Sequence, residues 1–208
     1  MKSFAIALCA PSGTGKTTVA RGLVAKRDDL VFSVSATTRP PRPGERSGVD
    51  YHFISRDEFQ SMIDDGELLE WAEVHGELYG TPRANLDAAE QSRRKLLMDI
   101  DVQGARQVAQ ARPDTVTVFL LPPSTEAWLE RLRERGSESD EQLQRRLETA
   151  KGELLALEEF DYAVVNERLE DAISAVEAII EGKRQRSSHA EMEALRRKIL
   201  EDLSATWP

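Results

Sequence analysis

Four short apolar runs stand out along the chain: Phe4–Ala10, Lys95–Ile100, Thr115–Leu121 and Tyr162–Val165. Each is rich in Val, Ile, Leu or Phe, which predicts buried strands. Between them the apolar positions recur at helical spacing. One helix is predicted over Lys16 to Lys26 and another from Arg56 to about Asp64, whose early Asp57 and Glu58 suit the positive end of a helix dipole. Ser124 is the expected N-cap of a third, ahead of the apolar positions Trp128, Leu129 and Leu132. Buried strands alternating with helices predict an α/β fold, a parallel sheet with helices on both faces.

Two stretches break the alternation. Thr38–Gly48 reads TRPPRPGERSG, and its three prolines remove donors and bias their predecessors to extended geometry, so it is a loop that carries cations. The polar run Arg133 to Arg146, with Gly136, Ser137 and Ser139, separates two helical patterns and is expected to be a mobile segment. From about Lys183 to Leu203, charges of both signs surround Met192, Leu195, Ile199 and Leu200, the pattern of a solvated helix packed on the domain by one narrow face.

Composition narrows the function classes. The 208 residues, 40% hydrophobic and 31% charged, suit one folded domain with a sizeable core. A formal net charge of -9 argues against a general nucleic-acid or anionic-membrane binder, so ligand phosphates must be met by local cation clusters. Cys9 is the single cysteine, which excludes an intramolecular disulfide and points to a reducing, cytoplasmic setting. No targeting segment is expected, and Phe4 to Pro11 is too short to span a membrane. Homo-oligomerisation stays open.

The chemistry begins at Ala10-Pro11-Ser12-Gly13-Thr14-Gly15-Lys16-Thr17-Thr18, between the first predicted strand and the first predicted helix. That is the context of a phosphate-binding P-loop. Gly13 and Gly15 allow a tight turn whose N–H groups face inward, and the helix N-terminus adds its dipole to the same anion. Lys16 can reach the β- and γ-phosphates of ATP, and the Thr17 hydroxyl can ligate Mg²⁺. The departure from the usual pattern is Ala10, where the motif has glycine. No Asn/Thr-Lys-x-Asp guanine motif follows, which sets GTPases behind kinases.

What the chain phosphorylates must be read elsewhere. Ser35-Ala36-Thr37-Thr38-Arg39-Pro40-Pro41-Arg42-Pro43-Gly44-Glu45 is followed by Gly48-Val49-Asp50-Tyr51-His52-Phe53, Glu67-Leu68-Leu69-Glu70-Trp71-Ala72-Glu73, Tyr79-Gly80-Thr81, Met98-Asp99-Ile100-Asp101-Val102-Gln103-Gly104, Arg131-Leu132, Arg135-Gly136 and Val164-Val165-Asn166. This ordered set, spread over about the first 180 residues, resembles the guanylate kinases. The resemblance implies ATP-dependent phosphorylation of GMP, with dGMP as a further acceptor to test. Implied GMP-binding residues are Ser35, Arg39, Arg42, Tyr51, Glu70, Tyr79, Thr81 and Asp101. Implied ATP-binding residues are the loop 10–18, Arg131, Arg135 and Asn166. Lys16, Arg135 and Arg146 are the implied catalytic cations, with Arg145 as the alternative to its neighbour. Asp99 would order the Mg²⁺ water shell.

Residue chemistry agrees with those roles. Arginine forks and phenolic hydroxyls suit a dianionic phosphate, carboxylates suit the N1 and N2 protons of guanine, and hydroxyls can donate to O6. Adenine lacks the N1 proton, and such a mismatch can reject an analogue by about 10⁴ to 10⁵. Taken alone, Tyr51 and Tyr79 also read as packing aromatics, Glu70 as a solvated helix charge, Asp99 as a helix cap and Asn166 as a strand-end turn. The expected organisation is a P-loop NTPase-type core (1–33, 84–125 and 155–183), a small GMP-binding subdomain (34–83), a mobile lid (126–154) and a C-terminal helical extension (184–208). The rival functions are a non-catalytic guanylate-kinase-like protein-interaction module and a kinase of another small phosphorylated acceptor.

Overall fold

The computed structural model describes residues 5–74, 76–134 and 140–206, with the backbone alone at Arg133, Glu134, residues 140–143, Arg145, Arg146 and Thr206. In order the elements are β1 (Ala5–Cys9), α1 (Lys16–Lys26), β2 (Leu30–Phe32), β3 (Ala36–Thr37), β4 (His52–Phe53), α2 (Arg56–Asp64), β5 (Leu68–Val74), β6 (Glu77–Pro82) and α3 (Arg83–Gln91). There follow β7 (Lys95–Asp99), α4 (Val102–Ala111), β8 (Val116–Leu121), α5 (Thr125–Glu134), α6 (Asp140–Leu155), a 3-10 turn (Leu157–Glu159), β9 (Tyr162–Val165), α7 (Leu169–Ile180) and α8 (His189–Thr206). The four apolar runs are β1, β7, β8 and β9. Ser124 caps α5, its hydroxyl accepting from the Ala127 N–H at 3.2 Å. Of the run Arg133 to Arg146, expected to be a mobile segment, Arg133 and Glu134 belong to α5 and Asp140 to Arg146 to α6, while residues 135–139 lie outside the described residues.

The chain forms two compact units, residues 5–7 with 24–116 and residues 8–23 with 117–206, so β1 supplies residues to both. In the first unit the sheet runs β2-β7-β1, with β2 and β7 parallel and Leu30, Val31 and Phe32 opposite Lys95, Leu96 and Leu97. Leu96, Leu97 and Met98 are fully buried, as an unalternating apolar strand requires. A second sheet has the order β4-β3-β6-β5. Its strands β3 and β4 are parallel, and β6 is antiparallel to both β3 and β5.

That small sheet is held by α2. Phe59, at 0% exposure, meets Ala36, Leu68 and Leu78, with Ile54, Met62 and Ile63 closing the cluster. The helix begins with a capping box: the Glu58 N–H donates to Ser55 Oγ at 3.2 Å, and the Ser55 N–H donates to Glu58 Oε2 at 2.7 Å. On the other side α4 packs against β5. The Gln107 amide accepts from the Trp71 N–H at 3.1 Å and donates to the Trp71 carbonyl at 2.6 Å, and so pairs with the outer edge of β5 as a neighbouring strand would.

In the second unit the sheet runs β1-β8-β9, with β8 and β9 parallel from Val118 opposite Tyr162 to Leu121 opposite Val165. Helix α7 lies on β9, and Ile173 packs so closely on Gly22 of α1 that a side chain there would collide with it. Helix α8 packs on α5, α6 and the 3-10 turn. Met192, Ile199 and Leu203 are its buried residues, while Leu195 and Leu200 are half-buried. Among the described residues no helix is long and apolar enough to cross a membrane.

Candidate functional site

The glycine-rich loop joins β1 to α1 in the second unit. Gly13 and Gly15 take φ values of +85° and +91°, a region that only glycine enters without strain. Lys16 and Thr17 open the helix, Lys16 half-buried and both Thr17 and Thr18 exposed. Backbone carbonyls of the loop accept hydrogen bonds from well outside it. The Trp128 indole N–H donates to the Ser12 carbonyl at 2.7 Å, and the Asn166 amide donates to the Thr14 carbonyl at 2.7 Å. Arg131 reaches the same Thr14 carbonyl at 3.4 Å. Thr14 is fully buried, and its hydroxyl has no hydrogen-bond partner.

Seven of the eight residues expected to read the acceptor lie on or beside the small sheet and the start of α4, all in the first unit. Glu70 of β5 stands directly opposite Thr81 of β6, a register that places side chains on one face within about 5 Å of each other. Both are buried, Glu70 at 4% and Thr81 at 0% exposure, and the Thr81 hydroxyl has no hydrogen-bond partner. Ser35, also buried, leads into β3, and its carbonyl accepts from the His52 N–H at 2.8 Å.

The second carboxylate comes from α4. Asp101 is its N-cap, with Oδ1 accepting from the Gly104 N–H at 2.8 Å. The Glu70 carboxyl packs against that same glycine. A methyl group at position 104 would lie 2.9 Å from Glu70 Cδ and 3.3 Å from Asp101 Oδ1, so both carboxylates converge on one residue without a side chain.

Around the proline-rich loop the structure brings together Arg39, Tyr51 and Tyr79. The Tyr51 and Tyr79 rings meet edge to face at 5.9 Å, and the Arg39 guanidinium sits 5.4 Å from the Tyr51 ring centre and 5.6 Å from that of Phe53. Arg39 grips Glu45 with both terminal nitrogens, at 3.0 and 2.9 Å, and also donates to the Pro40 carbonyl at 2.7 Å. Burial pulls the arginine's pKa down, but the hydrogen bonds and charge of Glu45 and Tyr79 outweigh it and leave it raised. The Arg39 hydrogen bond holds the Glu45 carboxyl below its ordinary range, against a smaller opposing effect of burial. Arg42, the eighth residue, differs: its backbone N–H donates to Glu45 at 2.7 Å while the residue is exposed.

Asp99 ends β7, half-buried at the carboxyl edge of its sheet. Arg135 and the side chains of Arg145 and Arg146 lie outside the described residues. Asn166 was expected at the adenine base; its backbone N–H donates to the Leu121 carbonyl at 2.8 Å, and its side-chain amide holds the phosphate loop. Among the described residues no group of three or more His, Cys, Asp and Glu is placed to hold a metal ion.

Residues 2–183 match the family model described as guanylate kinase. The chain belongs to the guanylate kinase family. It is 52% identical over 181 residues to a guanylate kinase of Corynebacterium diphtheriae, covering 86% of this chain and 95% of that one. A guanylate kinase of Thermotoga maritima is 45% identical over 184 residues, 88% of this chain and 89% of the other. The crystal structure of guanylate kinase from Anaplasma phagocytophilum superposes with a TM-score of 0.71 at 32% identity, covering 96% of this chain and 98% of that one.

In this member of the family, Ala10 is buried at 4% exposure and, unlike Gly13 and Gly15, keeps a negative φ, so the position needs no glycine. The structure adds residues that the motifs did not mark. Glu45 orders the arginine loop, Gln107 fixes β5, and Trp128 holds the Ser12 carbonyl. Trp128 carried one usable sequence signal: a buried indole N–H needs an acceptor, and an apolar helix face does not supply one.

Proposed function

We propose that this kinase transfers the γ-phosphoryl group of ATP to the phosphate of GMP, giving ADP and GDP, with the guanine edge read by Glu70, Asp101, Thr81 and Ser35. The observation that carries the reading is the buried pair across β5 and β6: a carboxylate at Glu70 facing a hydroxyl at Thr81 that has no hydrogen-bond partner. An unpartnered buried hydroxyl costs about 1–3 kcal/mol, and guanine O6 would satisfy it while the base's N–H donors meet the carboxylates. Adenine presents the opposite polarity at both points.

In the reaction a GMP phosphate oxygen forms a bond to the γ-phosphorus as the bond from that phosphorus to the β,γ-bridging oxygen breaks, and ADP departs with the electron pair. The inward N–H groups of the loop and Lys16 hold the ATP phosphates; Arg39, Arg42, Tyr51 and Tyr79 hold the acceptor phosphate, the tyrosines through their hydroxyls. Arg135 and Arg146 are assigned to charge on the transferring group by resemblance. Thr17 at the first turn of α1 offers the hard oxygen donor that Mg²⁺ takes, and Asp99 offers a carboxylate for its water shell. When bound with ATP, Mg²⁺ supplies charge neutralisation at the phosphate oxygens.

A coupled assay of ADP release, with ATP and Mg²⁺ and with GMP, AMP, CMP, UMP or no acceptor, tests this. Release with GMP alone, reduced about 10²- to 10³-fold or more in Lys16→Ala, is expected. Folded protein that binds GMP without acceptor-dependent ADP would overturn the catalytic reading, and activity with another nucleotide would overturn the roles of Glu70 and Thr81.

A further inference from the structure

A glycine-rich loop binds phosphate only while its N–H groups point inward, and glycine itself does little to keep them there. In a trans peptide the carbonyl of one residue and the N–H of the next lie in one plane and point opposite ways. Holding the Ser12 carbonyl therefore fixes the direction of the Gly13 N–H, and holding the Thr14 carbonyl fixes that of Gly15. These are the two loop peptides that end in a positive-φ glycine, the places where a peptide plane flips most easily. They are also the two carbonyls gripped from outside, one by the Trp128 indole and one by the Asn166 amide, each at 2.7 Å.

Both clamps are built into the packed interior of the second unit. Trp128 is fully buried and Asn166 is 5% exposed, and the Asn166 backbone is itself fixed by the Leu121 carbonyl. The same side chains close the space beside the glycines: a methyl group at Gly13 would lie 2.9 Å from Leu132 Cδ2 and 3.5 Å from Trp128 Cδ1, and one at Gly15 would lie 2.9 Å from Asn166 Nδ2. Carbonyls turned out toward donors, and side chains packed where a Cβ would go, leave each of these peptides one orientation.

We infer that Trp128 and Asn166 are positioning residues of the ATP site, locking the Ser12–Gly13 and Thr14–Gly15 peptide planes so that both glycine N–H groups face the nucleotide's phosphates. The inference rests on the reading of this loop as the ATP-phosphate site. Helix α5 thereby aims the donors of a loop more than 100 residues earlier in the chain, as the separation of 116 residues between Trp128 and Ser12 shows. Asn166 acts on the phosphates through the backbone, a role separate from any contact with a base.

The probe that isolates this role is Mg²⁺-tripolyphosphate, which carries the phosphates of ATP and no base. Trp128→Phe keeps an aromatic ring and loses the N–H; Asn166→Ser shortens the side chain so that it no longer reaches the Thr14 carbonyl. Each variant, with folding checked by its thermal midpoint, is expected to weaken tripolyphosphate binding and raise the KM for ATP by the same factor, about five- to twentyfold. The KM for GMP should stay within about twofold. Equal losses for ATP and GMP would reduce both residues to general structural support and overturn the inference. So would Asn166→Ser weakening ATP while leaving tripolyphosphate unchanged, which would make Asn166 a base contact. Tripolyphosphate binding that ignores Lys16→Ala would instead overturn the phosphate-loop reading underneath it.

Discussion

On the proposed reading, the phosphate loop and the acceptor sheet solve the same problem, holding a nucleotide, with different parts of the chain. The loop would work mainly through backbone N–H groups with Lys16 beside them, and its shortest supporting contacts are neutral donors aimed at carbonyls, from Trp128 and Asn166, with Arg131 farther off at 3.4 Å. The proposed acceptor side would work through side chains, Glu70, Thr81, Asp101, Arg39, Tyr51 and Tyr79, carried on strands as short as two residues and ordered by ion pairs such as Arg39–Glu45. A backbone site asks only that peptide planes be held. A side-chain site asks that a whole small sheet be built first, so it is the more exposed to distant damage.

The largest expected effect tests that dependence. Phe59 is the buried centre of the cluster that joins α2 to β3, β5 and β6. Phe59→Ala should cost about 3–5 kcal/mol of stability in urea titrations. Below the midpoint it should raise the KM for GMP while leaving tripolyphosphate binding near wild type. Parallel losses of both ligands would show that the two sites share one support and erase the distinction.

Next comes the base itself. Glu70→Gln keeps the shape of a buried side chain and removes the charge that guanine's donors would meet. Losing a charge-assisted hydrogen bond corresponds to about 1.5–3 kcal/mol, so a rise of about 10- to 100-fold in the KM for GMP is expected, with the KM for ATP unchanged. Inosine monophosphate, which lacks the N2 amino group, should lose less than GMP. A uniform loss for both acceptors would remove Glu70 from base reading. Gly104→Ala is the milder version, since a methyl group there meets the Glu70 carboxyl. A rise of about fivefold for GMP, again without change for ATP, is expected if that carboxyl must move about an ångström.

The same contrast explains what could be read from the sequence. The phosphate loop is local: its glycines, Lys16 and Thr17 lie within a few residues between a legible strand and a legible helix, so motif and fold support one another. Four strands of the parallel sheet were also legible, because β1, β7, β8 and β9 are apolar runs, whereas the three-residue β2 carried too short a signal to be marked. In contrast β3 and β4 have two residues each and β5 mixes Glu70 and Glu73 with apolar neighbours, so no period could announce the acceptor sheet, and its residues were found by ordered resemblance. Glu70 was legible as a carboxylate, but its convergence with Asp101 on Gly104 depends on how α4 packs against β5. Asn166 was assigned to the base by resemblance, and its hydrogen bond to Thr14, 152 residues earlier, is a further contact of which sequence order carries no sign.

The smallest effect separates the two regions by pH. The loop's clamps contain an indole, an amide and carbonyls, none of which titrates between about pH 3 and pH 9. The acceptor unit holds carboxylates with lowered pKa values, and Asp29 is the clearest. Its two oxygens accept from Arg27 Nε and Nη2 at 2.9 Å each, and Lys95 Nζ lies 3.3 Å away, tying the start of β2 to the start of β7. The Arg27 hydrogen bond is the main cause, burial opposes it, and Lys95 adds to it, so the pKa falls from 3.8 to about 2. A depressed folded-state pKa means stability that is present above the unfolded value and is lost as pH falls toward the folded one. Because the Asp29 side chain is 45% exposed, screening limits the contribution to about 0.5 kcal/mol. Asp29→Asn should therefore lower the urea midpoint slightly at pH 7, keep the same gap down to about pH 4, and converge on wild type as the pH approaches about 2. A gap that stays constant through that window would place the contribution in neutral hydrogen bonding rather than charge, and the acceptor unit would then resemble the phosphate loop in this respect.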